Sequence, residues 1–145
     1  MDFPYFGKLF LALLLGGLIG LEREIKRKEA GLRTYSLVAL SSCFLTIVAF
    51  KLFNFFQTKE GISFDPSRII QAVIVGISFI GAGVIFRQPS GILGLTTAAG
   101  LLITAAIGIA VGINQYYLAI LGTFLGLIIL SLFSLVEEKI LKTKE

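Results

Sequence analysis

Histidine is absent from this chain of 145 residues, and cysteine occurs once, at Cys43. The first absence excludes an imidazole proton relay and a histidine metal ligand. The second excludes a disulfide within the chain, so cysteine usage does not reveal a redox compartment. Cys43 lies inside an apolar run and reads as a small buried residue. Charge is also missing over long stretches: no Asp, Glu, Lys or Arg occurs between Gln88 and Val136. No nucleophile stands with a matched base, so no enzyme constellation and no cofactor is expected. No low-complexity linker or second domain is visible either.

What fills the chain is apolar. Hydrophobic residues make up 56%, where a soluble domain averages about 45–50% even with Gly counted. The 16 glycines agree, because glycine is enriched in membrane helices. A span needs about 20 residues at a rise of roughly 1.5 Å each, so the uncharged run is too long for one span and suits two. The expected architecture is an all-α integral membrane protein, a single transmembrane domain over residues 1–145 with no soluble domain. Its five spans fall near residues 6–21, 35–56, 69–86, 95–113 and 117–136. The first span is not expected to be a cleaved signal, since Asp2 precedes it and no small-x-small site comes before the charged run from Glu22.

The formal net charge of +4 does not imply nucleic acid, because the bases sit at the ends of apolar runs. With alternating loops, one side carries Arg23, Lys26, Arg27, Lys28, Arg33, Arg87, Lys139, Lys142 and Lys144. The other carries Lys8, Lys51, Lys59 and Arg68, nine against four of the 13 Lys and Arg. The richer side is expected to be cytoplasmic, which puts the N-terminus outside and the C-terminus inside. Lys8 and Lys51 lie near outer ends, where they can snorkel. Tyr5, Tyr35, Tyr116 and Tyr117 fall at expected interfaces, as in an aromatic belt. Pairs Glu22–Lys26 and Glu24–Lys28 suggest that the first helix runs on to Ala30-Gly31, with Thr34 capping the second helix and Asp65-Pro66 opening the third.

Small residues four apart let membrane helices approach closely. The first span has Gly16 and Gly20, the third Gly76, Gly81 and Gly83. The fourth has Thr96, Gly100, Thr104, Gly108 and Gly112, and the fifth Gly122 and Gly126. The second span lacks such a stripe and is rich in Phe, which suits lipid. Spans one, three, four and five are therefore expected to form the tight core, and the same faces could serve a homo-oligomer.

Polar groups concentrate at the two surfaces. Glu22 and Arg23 sit at a membrane edge, where a buried pair of Glu22 with Arg33 or Arg87 would satisfy them. Asp65 and Arg68 are either a helix start or a site at the mouth of the bundle. Asp65 with Glu60 offers only a weak Mg²⁺ site, and no metal site is assigned. Apart from Lys8 and Lys51 near their outer ends, the spans hold only neutral polar side chains, among them Ser42, Thr46, Thr96, Thr97 and Thr104. This argues against an ion pump, though not against a pore lined by hydroxyls. The Gly-rich stretch from Arg87 to Thr97 opens a helix, and helix N-termini attract anions. With Arg23 and Arg33 on the same side, a lipid phosphate or an acidic partner could dock there.

The blocks Gly20-Leu21-Glu22-Arg23-Glu24 and Ala30-Gly31-Leu32-Arg33-Thr34 resemble the opening of the MgtC/SapB family of bacterial inner-membrane proteins. Asp65-Pro66-Ser67-Arg68-Ile69 resembles its outer-loop motif, Gly76 to Gly83 its third-span glycine motif, and Gly94-Leu95-Thr96-Thr97-Ala98-Ala99 a further block. The blocks come in family order. The resemblance implies a multi-pass inner-membrane protein linked to growth in low Mg²⁺, and nominates Glu22, Arg23, Arg33, Asp65, Arg68, Thr96 and Thr97. Longer members carry a cytoplasmic domain resembling ACT domains, whereas this sequence stops soon after its fifth span. The expected function is non-enzymatic: modulation of other membrane proteins by helix–helix contact under Mg²⁺ limitation or related stress. The alternative is a small transporter or channel for Mg²⁺ or another solute.

Overall fold

The long apolar runs, with no proline inside them, satisfy their backbone groups internally as helices, the one open-ended solution that lipid allows. A computed structural model of the chain describes residues 4–57, 65, 67–89 and 91–136. Lys59, Glu60, Pro66, Lys139, Lys142 and Lys144 lie outside the described residues. The helices are α1 (Tyr5–Ile25), α2 (Leu32–Gln57), α3 (Ser67–Val84), α4 (Leu95–Gly112) and α5 (Tyr116–Ile128). Helix α5 passes into a π-helical turn, Ile129–Phe133, and a last turn, Ser134–Val136. Five helical segments are long and apolar enough to cross a membrane, the fifth counted as Tyr116–Phe133.

Helix ends differ from the expectation where local bonding decides them. Helix α1 stops at Ile25 rather than running to Gly31. Arg27 turns left-handed, with φ of 51°. The Lys28 N–H then donates to the Arg23 carbonyl and the Arg27 N–H to the Glu24 carbonyl, both at 3.0 Å, which closes a Schellman turn. That turn carries Lys28 past the helix end, and Glu24–Lys28 is not among the ion pairs of the described residues. Thr34 is not the cap of α2, which already begins at Leu32. Glu24 does that work instead, its carboxylate accepting the Leu32 N–H at 3.0 Å. Helix α4 ends in the same fold of backbone around Asn114, with φ of 64°.

The third span ends at Val84, short of Phe86, because the chain there folds into a hairpin. Strand β1 (Phe86–Gln88) pairs antiparallel with β2 (Gly91–Leu93), Phe86 opposite Leu93. Gly94 leads from the hairpin into α4 with φ of 84°, and a Cβ there would collide with the Val84 carbonyl. Only glycine fits that position.

The order of packing corrects the expected core. Helix α2 lies between α1 and α4, while α3 leans on α4 at the edge. In the most apolar stretch of each helix, 39% of positions in α2 are buried against 17% in α3. The Phe side chains of α2 do face outward at Phe44, Phe50 and Phe55. Its other face is Tyr35, Ala39, Ser42, Cys43, Thr46 and Ala49, small enough for close approach without a glycine. The glycines of both neighbours land on that face. Gly16 and Gly20 of α1 meet Tyr35, Ala39 and Leu32, while Gly108 and Gly112 of α4 meet Ala39, Ser42, Cys43 and Thr46. Gly100 receives the Tyr35 ring, Gly81 faces Ala98, Gly122 faces Ile107 and Gly126 faces Ile19. Among the described residues, Gly76 and Gly83 meet no neighbouring helix: nothing lies within 4 Å of the space a Cβ would take. Helix α3 is held along the line Val73, Ile77, Gly81 and Val84, which leaves those two glycines to one side.

Three buried threonines in the spans turn their hydroxyls back on their own helices. Thr46 donates to the Ser42 carbonyl at 2.7 Å, Thr104 to Gly100 at 2.8 Å and Thr123 to Ala119 at 2.9 Å. At the end opposite the charged cluster, the ammonium groups of Lys51 and Lys8 lie 4.2 and 5.8 Å from the centre of the Tyr5 ring, within cation–π range.

Candidate functional site

At the other end, α1, α2, α4 and the π turn bring together groups distant in sequence. Arg23 is the largest fully enclosed side chain of the described residues, 2% exposed. A guanidinium there must be paired. Its Nε and Nη2 both hold Glu22, the adjacent residue, with Nη2 to Oε1 at 2.8 Å. Lys26, one turn on, reaches the same carboxylate at 2.8 Å. Glu22 therefore pairs with Arg23 and Lys26, not with Arg33 or Arg87, because its own helix supplies both cations within reach. Arg33 and Arg87 are exposed.

The cations also bind backbone. Arg23 Nη2 donates to the Leu130 carbonyl at 3.1 Å and Lys26 Nζ to the same oxygen at 3.0 Å. Leu130 lies in the π turn, where the helical ladder is widened. Side-chain donors entering the ladder are a recognised cause of such distortion. The α1–α5 contact is thus pinned by charge-assisted bonds at one carbonyl.

A second chain of bonds runs through α4. Tyr35, placed by sequence at the aromatic belt, is fully buried and donates to the Thr97 carbonyl at 3.1 Å. The Thr97 hydroxyl donates to Glu29 at 2.6 Å. That bond holds the Glu29 carboxyl below the usual carboxylate value of 4.5. The stability Glu29 adds is present above its unfolded value and is lost as pH falls through the lower, folded one. Thr96, beside Thr97, is exposed and lines a cavity of about 470 Å³ together with Arg23, Lys28 and Glu29. Sequence reasoning placed Glu24 and Tyr35 at this end without giving them a part in the site, and did not single out Glu29. Glu29 and Thr97 are 68 positions apart, and no periodicity links a loop acid to a distant helix start.

Asp65 and Arg68 sit at the opposite end, away from this cluster. The Asp65 carboxylate accepts the Ser67 N–H at 2.9 Å and its carbonyl accepts the Arg68 N–H at 3.2 Å. Asp65 thus caps α3, and the bond to Ser67 holds its carboxyl below the ordinary value. Among the described residues no group of three His, Cys, Asp or Glu could hold a metal ion.

These features define a multi-pass helical membrane protein with a polar cluster locked into one end of its bundle. The chain belongs to the MgtC family, whose model matches residues 9–139. It is 44% identical over 110 residues to the protein SapB of Bacillus subtilis, covering 75% of this chain and 47% of that one. It is 39% identical over 123 residues to the protein MgtC of Salmonella typhimurium, covering 85% of this chain and 49% of the relative. An Escherichia coli K12 protein named "Putative magnesium transporter YhiD" is 41% identical over 126 residues, 87% of this chain and 59% of its own length. The chain thus spans about half the length of these curated relatives. No solved structure matches it.

Proposed function

We propose that this chain is a non-enzymatic protein of the bacterial inner membrane that modulates other membrane proteins by helix–helix contact, during Mg²⁺ limitation or related stress. The observation that carries this reading is the free side of α3. Gly76 and Gly83 lie two turns apart on it with open space where a Cβ would stand, and glycines at that position let a second helix approach. The Mg²⁺ setting rests on family membership and on the name of the Escherichia coli relative. The excess of Lys and Arg at the Arg23 end orients that end to the cytoplasm, with the N-terminus outside.

Transport of Mg²⁺ is the second reading, and that relative's name favours it. A photo-crosslinking residue at Phe79, in cells grown in low Mg²⁺, distinguishes the two. A discrete adduct with one membrane protein, lost on Gly76→Leu with Gly83→Leu, is the expected result. Saturable Mg²⁺ flux into liposomes holding the purified chain alone, with no such adduct, overturns it.

A further inference from the structure

Two charged side chains are buried among the described residues, Arg23 and Lys8. They are treated in opposite ways. Arg23 holds a carboxylate and a backbone carbonyl. Lys8 is 8% exposed, yet its ammonium forms no ion pair and no hydrogen bond among the described residues. What it has is the Tyr5 ring, 5.8 Å away at the centre, close to the limit of about 6 Å for a cation–π contact. The Lys51 ammonium, from α2, lies over the same ring at 4.2 Å and is equally without an acid among the described residues. One neutral ring thus serves two cations and cancels the charge of neither. Asp65, the described acid at this end, spends its carboxylate on its own helix start and is exposed. Asp2 and Glu60 lie outside the described residues.

A lysine that merely snorkels carries its head clear of the protein. Lys8 instead sits in the first turn of α1, its N–H donating to the Pro4 carbonyl at 3.2 Å, with more than nine-tenths of the residue enclosed. Like charges also draw apart where no anion lies between them, whereas these two converge from two helices. An uncompensated charge in such a setting is costly, and an ionisable group within a span calls for a counter-group. The Lys8 ammonium is reachable from outside, because Ser42 Oγ is the one sealed polar side-chain atom without a partner among the described residues. So narrow an opening admits a headgroup oxygen and excludes a partner helix. Lysine binds phosphate as a point charge and needs no planar fork. Tyr5, 52% exposed at the start of the span, marks the level of the membrane interface, where lipid phosphates lie. We propose that Lys8 and Lys51 together hold a phosphate oxyanion beside Tyr5, supplied by an anionic phospholipid. Free inorganic phosphate shares that chemistry.

The test uses the full chain purified in a neutral, phosphate-free detergent. One arm compares retention of phosphatidylglycerol and phosphatidylcholine by native mass spectrometry. The other follows thermal unfolding against inorganic phosphate. A preference for phosphatidylglycerol identifies the lipid headgroup, and a response to phosphate alone identifies the free anion. Lys8→Met keeps the apolar stem and removes the charge. It is expected to weaken binding about tenfold, the loss of one charge-assisted contact, and Lys8→Arg to restore most of it. Without ligand, Lys8→Met is expected to melt higher than the parent chain, because an uncompensated charge has gone. Stabilisation of the empty protein with loss of the ligand is an opposition that a structural lysine does not produce. An acid of the chain itself as the partner would leave binding independent of Lys8. The proposal is overturned by no response in either arm, by equal retention of the two lipids without a phosphate response, or by binding that Lys8→Met leaves unchanged.

Discussion

Arg23 illustrates how a charge is kept inside an apolar bundle. Its countercharge is the neighbouring residue and its remaining bond is to a backbone oxygen, so pairing costs no long-range placement of an acid. Removing one member of a buried pair typically costs about 3–5 kcal/mol, because the other is left uncompensated. Glu22 keeps Lys26 as a second partner, so Arg23→Met is expected at the lower end, about 3 kcal/mol. The double change Arg23→Met with Glu22→Gln is expected to cost less than the single one, read from unfolding in mixed micelles. Equal or additive costs count against the pair as a unit. The sequence made Glu22 and Arg23 visible as charges at a membrane edge. It did not reveal their partners, since Arg33 and Arg87 were equally eligible by sidedness. The packing glycines were legible in the same partial way: Gly108 and Gly112 meet α2, whereas Gly76 and Gly83 have identical chemistry and no neighbour among the described residues.

The elements were legible from hydropathy to within a few residues, because span length follows from bilayer thickness. Their ends were not, because ends are settled by bonds too local for composition to register. The short hairpin between α3 and α4 is such a case: Arg87 and Ile92 read as loop, and only the pairing of β1 with β2 makes them strand. The end of α1 is another. Arg27 takes a left-handed conformation that costs a residue with a Cβ roughly 1–2 kcal/mol. Arg27→Gly relieves that strain while adding some backbone entropy to the unfolded chain. The expected net gain is about 1 kcal/mol, seen as a higher unfolding midpoint. A loss on Arg27→Gly means that the arginine side chain contributes more than its backbone costs. Asn114, in the equivalent turn after α4, gains less, because Asn tolerates that conformation.

Across the whole molecule, the expected arrangement placed α2 outside and α3 within, and the structure exchanges them. The cause is that small-residue content marks close approach but not which helix is approached. Helix α2 receives the glycines of α1 and α4 on a face of Ala39, Ser42, Cys43 and Thr46, and so packs between them while carrying no glycine itself. Helix α3 carries glycines and touches the bundle along one line. Spin labels read by oxygen accessibility in a bilayer separate the two arrangements. Labels at Val75 and Phe79, exposed on α3, are expected to be as accessible as labels at Leu37 and Phe44 on the outer face of α2. Labels at Val73 and Ile77 are expected to be shielded by α4. A scan along α3 should therefore show a wide accessible arc and a narrow protected one, and a scan along α2 a broader protected arc. High accessibility at Ala49 with low accessibility at Phe79 contradicts this packing order. Protection that appears at Gly83 only in native membranes, and not in vesicles of pure lipid, locates the contact face on α3 without disturbing the packed core of α1, α2 and α4.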